Sequence, residues 1–181
     1  TLRSRGLGDV YKRQALEGVI RGRSRVAEGV ETSQQAFSVF AADAEPKVRR
    51  ALVAAFGPDI GTDAAAEAMA VAWEKWSVVQ TRPNPAGYVW GIGRNVARKR
   101  LGGSRLFPAP DPQAEPWVEP GLPAAIENLS ENQRPAVILT SGYPWTFAEV
   151  AELLEGSVST VQSHVERGMA KLRDSMGVND D

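Results

Sequence analysis

The sequence predicts an all-α protein of two small helical domains joined by a Pro/Gly-rich linker, the C-terminal one a helix-turn-helix. Three observations predict this class. Apolar residues recur at helical spacing in several separate stretches. The β-branched alternation that a half-buried strand needs is scarce. Residues 102–121 hold Gly102, Gly103, Pro108, Pro110, Pro112, Pro116, Pro120 and Gly121, a density of breakers that suits an extended, semi-flexible connection rather than a packed element.

Residues 1–32 carry little fold information. The stretch RSRGLGDVYKRQ (Arg3 to Gln14) looks like adaptor-encoded sequence and is set aside, and the polar, Gly-rich run from Ala15 to Thr32 is expected to be a disordered start. The first domain is expected over residues 33–101. From Ser33 to about Phe56, the residues Phe37, Phe40, Val48, Leu52 and Phe56 mark helix, and Pro46 is expected to split it into two pieces. Gly57 and Pro58 then break the chain. Thr62 to Trp76 is Ala-rich, with Met69, Trp73 and Trp76 forming the expected core stripe and Asp63, Glu67 and Glu74 on the outer face. Ser77 to Gly87, with Pro83 and Pro85, reads as a loop. Tyr88 to Leu101 reads as a helix with Val89, Ile92 and Val96 inward and Arg94, Asn95, Arg98 and Lys99 toward solvent.

Beyond the linker, the second domain is expected over residues 122–176, followed by a short tail, 177–181. Leu122 to Leu139 reads as a helix or helix pair. Thr146 can cap the next helix, and Glu149, three residues on, completes a capping box. Phe147, Val150, Ala151 and Leu154 fall on one stripe. Gly156 suits the left-handed position that ends a helix, and Ser157 can cap the following one. In that last helix Val161, Val165 and Leu172 point inward with Met169 beside them, which leaves Ser159, Gln162, Ser163, Glu166 and Arg167 outside. A helix-turn-helix lays such a face in the major groove of DNA.

Composition removes several classes of function. The chain has no cysteine, which rules out disulfides, thiolate metal sites and cysteine nucleophiles, and its single histidine, His164, cannot build the usual zinc centre. No apolar run approaches the ~18 residues of a membrane span, and no signal peptide is evident, so a cytoplasmic location is expected. No nucleophile, phosphate loop or metal cluster surrounds the carboxylates, so neither an enzyme nor a cofactor or small-molecule substrate is expected. The formal net charge of −1 conceals a local pattern. Asn84 to Arg105 has no acid but carries Arg94, Arg98, Lys99, Arg100 and Arg105. Asp111 to Glu131 has no Lys or Arg but carries Asp111, Glu115, Glu119, Glu127 and Glu131.

Taken together these stretches resemble a bacterial RNA polymerase sigma factor of the sigma-70 family, of the two-domain extracytoplasmic-function type. The resemblance rests on TDAAAEAMAVAWEKW (Thr62 to Trp76), NPAGYVWGIGRN (Asn84 to Asn95), LSENQRPAVIL (Leu129 to Leu139) and Thr146 to Leu172, in that order across the Pro-rich linker. It implies that residues 33–101 form region 2, which binds the polymerase clamp and captures the −10 element, and that 122–176 form region 4, which reads the −35 element. Core RNA polymerase, promoter DNA and an anti-sigma factor are the implied partners, with no membrane among them.

The resemblance also implies residue roles. Asp63, Glu67 and Glu74 would face the polymerase. Asn84, Tyr88, Arg94, Asn95, Arg98, Lys99 and Arg100 would meet the −10 region, an aromatic face stacking on an unpaired base and the cations neutralising phosphates. Ser159, Thr160, Gln162, Ser163, His164, Glu166 and Arg167 would meet the −35 duplex, where Gln suits adenine, Glu accepts from cytosine and Arg suits guanine. Three positions depart from the usual pattern: Ala66 stands where glutamine is usual, Tyr88 where tryptophan is usual, and Gln162 where a basic residue is common. The alternative reading is a stand-alone helix-turn-helix regulator that binds duplex DNA without polymerase.

Overall fold

The computed structural model describes residues 5–102, 106, 107, 119 and 121–177, with side chains described from Glu31 onward. Every regular element among them is helical. The chain divides into two compact units, residues 1–40 and 41–181; residues 33–40 of the first expected domain lie in the first unit, and the rest of it and the whole second expected domain lie in the second. In the first unit the Phe37 and Phe40 rings lie tilted with centroids 6.1 Å apart.

Helix α1 runs from Arg5 to Phe56 without interruption. Two expectations are corrected by it: the stretch 15–32 is helical rather than a disordered start, and Pro46 does not split the helix. A proline inside a helix costs about 3 kcal/mol. Against that, Val48, Ala51, Leu52, Ala55 and Phe56 are all buried on the stripe that follows, and a buried Leu or Phe alone is worth about 1.5–3 kcal/mol. The chain turns at Gly57, whose φ of +82° is one that L side chains avoid; a Cβ there would lie 1.6 Å from the carbonyl oxygen of Leu106. Part of the expected flexible linker is therefore tied down: Leu106 presses on this corner, and the Phe107 amide donates to Glu127 Oε1 at 3.2 Å.

Helix α2 (Pro58–Glu74) packs on α1 and on α4 (Pro85–Arg100) through Gly61, Ala64, Ala65, Ala68 and Ala72. The approach is tight: a Cβ on Gly61 would sit 2.5 Å from the Val53 Cα of α1. Only small side chains fit that face, which corrects the expected core stripe. Trp76 is buried in α3 (Trp76–Val79), but Trp73 is 44% exposed and Met69 half-buried. The short α3 also occupies the first part of the expected loop. Likewise the inner face of α4 is Gly87, Val89, Trp90, Gly93 and Ala97, with Ile92 and Val96 only half-buried.

In the C-terminal half, α5 (Leu122–Glu127) and α6 (Gln133–Val137) form the expected helix pair, and a π-turn (Ile138–Gly142) extends α6. Then come α7 (Phe147–Leu153) and α8 (Val158–Met176). Ala125, Leu129, Val137 and Leu172 form their core, joined by Ile126, Met169 and Met176. Gly168 lets α8 approach α6, since a Cβ there would meet Val137 Cγ2 at 2.6 Å. The local signals at the helix-turn-helix hold, with one shift. Thr146 and Glu149 form the capping box, and Ser157 Oγ accepts from the Thr160 amide at 3.1 Å. The left-handed residue, however, is Glu155 at φ +54°, not Gly156. The Gly156 amide donates to Ala151 O at 2.8 Å and the Glu155 amide to Glu152 O at 3.2 Å. This is a Schellman ending whose hydrogen bonds fix Glu155 at the strained position. Phe147, expected on the inner stripe of α7, is exposed, and Leu153 is buried there instead.

Candidate nucleic-acid interface

The polar face of α8 is open. Ser159, Thr160, Gln162, Glu166 and Arg167 are exposed, and Ser163 and His164 are half-buried. Its N-terminal hydroxyls are ordered by the cap: Ser157 Oγ lies 2.9 Å from Ser159 Oγ and 2.7 Å from Thr160 Oγ1. Arg167 folds back so that its Nε donates to Ser163 O at 3.0 Å, and the residue remains exposed. Burial, and then the charge of Arg167, hold the His164 imidazole below its ordinary value, which favours the neutral ring. One helix earlier, at the start of α7, the Thr146 backbone amide and hydroxyl hold the Glu149 carboxylate below the usual range, keeping the capping box charged. The seven expected −35 residues thus lie on one helix, offering donors and acceptors of mixed type with one fixed cation, a surface suited to base edges.

The expected −10 residues are also brought together on α4 and its N-terminus, but most are engaged. Asn84 caps α4 by accepting from the Gly87 amide at 2.9 Å, and its Nδ2 donates to Glu152 O at the end of α7 at 2.6 Å. The Arg82 guanidinium lies 4.7 Å from the Tyr88 ring centroid. Arg94 Nε donates to Glu131 Oε1 and Arg94 Nη2 to Asn132 Oδ1 at 3.0 Å. Arg98 Nε reaches Glu131 Oε2 at 2.9 Å. Burial pushes the Glu131 carboxyl upward, but hydrogen bonds from Arg98 and Arg94 outweigh it and leave the group below its ordinary value. Arg100 bonds Asp63 at 3.2 Å and also Glu67, so two expected polymerase-facing carboxylates pair with an expected DNA-facing cation. Asn95 and Lys99 are exposed and make no side-chain hydrogen bond or ion pair among the described residues. Glu74 is exposed.

Sequence reasoning missed Glu131, Asn132 and Glu152 as members of this surface. A signal was present in the acid-free run 84–105 followed by the acidic run 111–131, whose charges are complementary. Among the described residues, no group of His, Cys, Asp and Glu is placed to hold a metal ion, and no helix is long and apolar enough to cross a membrane.

Residues 121–172, from α5 to near the end of α8, match the family described as sigma-70, region 4. The match spans this C-terminal module. The rest of the fold is similar as well. The sigma factor RpoE from Bartonella quintana, solved in complex with the anti-sigma factor NepR, superposes with a TM-score of 0.55 at 20% identity, covering 81% of this chain and 99% of that one. That likeness shows a shared fold that extends well beyond region 4. No curated protein matches the chain significantly.

Proposed function

We propose that the protein is a sigma factor that binds core RNA polymerase and directs it to promoters carrying −10 and −35 elements, without chemistry of its own. The observation that carries this reading is the open polar face of α8, lying inside the matched region 4 of a sigma-factor fold. On this reading Gln162, Glu166 and Arg167 read −35 base edges and the capped start of α8 meets a phosphate. The α4 arginines neutralise phosphates near the −10 element, and Tyr88 and Asn95 hold an unpaired base. Asp63, Glu67 and Glu74 meet the polymerase. An anti-sigma factor is a fitting regulator, as RpoE is solved with one. Neither DNA contact need be tight alone, because polymerase joins them into one multivalent interaction.

Reconstitution tests the proposal. The full chain is mixed with sigma-free core polymerase and fragmented DNA of the source genome, and run-off transcripts are sequenced. New start sites that share two upstream elements are the expected result. Tight, specific binding to duplex DNA with no polymerase association would replace the proposal with a stand-alone regulator.

A further inference from the structure

We propose that Glu131 stands in for a DNA phosphate on α4, so that region 4 docked on α4 holds the −10 surface closed. The inference rests on the proposed role of α4 in binding DNA. Arg94 and Arg98 are one turn apart on α4, and their two Nε donors converge on the single Glu131 carboxylate. Two guanidinium groups at this spacing repel one another unless an anion lies between them. A carboxylate and a phosphate offer the same paired anionic oxygens to such a fork. Arg134 on α6 is 6% exposed and lies near enough to feel the charges of Glu131 and Glu127.

Three further contacts involve the same pair of modules. Asn84 Nδ2 bonds Glu152 O at 2.6 Å, and Gly87 abuts Glu155 so closely that a Cβ would meet its Cγ at 2.7 Å. On the other side Arg50 of α1 lies 6.0 Å from the Tyr143 ring centroid, beside the π-turn. Region 4 therefore engages Asn84 and both arginines in one docked state. A nucleic-acid backbone on α4 and Glu131 on α4 need the same nitrogens, so each excludes the other. Apparent affinity for DNA then falls with the fraction of molecules that are closed.

The chain has no cysteine, so a label pair is readily introduced at two exposed positions, Gln80→Cys and Ser175→Cys, in the full chain. The distance between labels reports closure, and a fluorescent single-stranded oligonucleotide reports the α4 surface. Glu131→Gln keeps the shape and removes the charge. The proposal expects longer label distances and oligonucleotide binding tighter by about fivefold or more, the low end of ordinary site-to-site coupling. Glu131→Gln that stays closed, or that opens without tighter binding, overturns it. Arg94→Gln with Arg98→Gln in the same titration judges the underlying reading separately: lost oligonucleotide binding keeps α4 as the DNA surface, and unchanged binding removes that role. Should Glu131→Gln unfold, a charge swap carries the test, with Glu131→Arg combined with Arg94→Glu and Arg98→Glu. Closure without oligonucleotide binding supports the proposal, and an open chain overturns it.

Discussion

Helices α4 and α8 carry similar chemistry in opposite states. Each is an amphipathic helix with a buried glycine on its inner face: Gly93 would meet Leu52 Cδ1 at 2.5 Å with a Cβ, and Gly168 would meet Val137 Cγ2 at 2.6 Å. Each turns a polar face outward. Among the described residues, that face of α8 has no hydrogen bond or ion pair from another element, and its arginine bonds to its own helix. On α4 the arginines at 94, 98 and 100 are all held by carboxylates from elsewhere in the chain. The difference shows that a basic run in sequence measures potential for binding anions, while availability depends on which acids the fold brings to it. The two surfaces should therefore respond differently to the same kind of substitution.

The largest effect is expected where α4 gets its support. Gly61→Ala drives a methyl to 2.5 Å from both Val53 Cα and Val53 N, atoms of a helix backbone that cannot rotate away. The helical preference of Ala returns about 1 kcal/mol, but overpacking of this kind costs about 1–3 kcal/mol and sometimes more. A net loss of up to about 2 kcal/mol in urea unfolding is expected. An unchanged midpoint would mean that α1 and α2 do not pack at this distance, and that α4 rests on something else.

Next in size is the direct contrast between the two faces. Arg167→Ala on the open face should weaken binding to a −35 duplex by about 1–3 kcal/mol, the value of one bidentate base contact. Arg98→Ala on the closed face should do less to oligonucleotide binding, because it removes a phosphate contact and at the same time loosens Glu131. Fluorescence titration of both variants at one salt concentration compares them. Equal losses would show that α4 is as available as α8.

A smaller effect is expected at the helix-turn-helix corner. Thr146→Ala removes the side-chain half of the capping box and should cost about 1 kcal/mol of stability. Denaturant unfolding measures it, and no loss would mean that α7 is set by packing of Val150, Ala151 and Leu153 rather than by its cap.

This corner also shows which features the sequence makes legible. The Thr146 and Ser157 caps are local, three residues from donor to acceptor, and were readable directly. The exposure of the α8 polar face follows from the helical period. Features that depend on a second element were not readable. The Ala face of α2 replaced the tryptophan stripe because the backbone of α1 comes close at Gly61, and no property of α2 alone announces that. Pro46 stayed within α1 because the burial that follows it outweighs its local cost. Glu155 took the left-handed position, one residue before the glycine that suits it, because the Gly156-to-Ala151 hydrogen bond sets the register. Asn84 was placed as a DNA-facing residue by resemblance, while its amide in fact joins the start of α4 to the end of α7. The engagement of Arg94 and Arg98 by Glu131 was present only as two charge runs of opposite sign, with nothing local to pair them.

The smallest expected effect tests the same pair through pH. Glu131 is held below its ordinary value in the folded chain, because the hydrogen bonds from Arg98 and Arg94 outweigh the effect of burial. In the unfolded chain the group titrates near the ordinary glutamate value, about 4.3. A carboxyl lowered by folding contributes stability that is fully present above the unfolded value and is lost as pH falls through the folded one. The arginines stay charged throughout, so they add no step of their own. The difference in unfolding free energy between the wild type and Glu131→Gln should therefore be constant from pH 7 down to about pH 5, then shrink as pH falls further. A gap that stays level through acid would mean that the charge of Glu131 is not what holds region 4 on α4. The contrast between an open α8 and a closed α4 would then no longer depend on which anion the arginines meet.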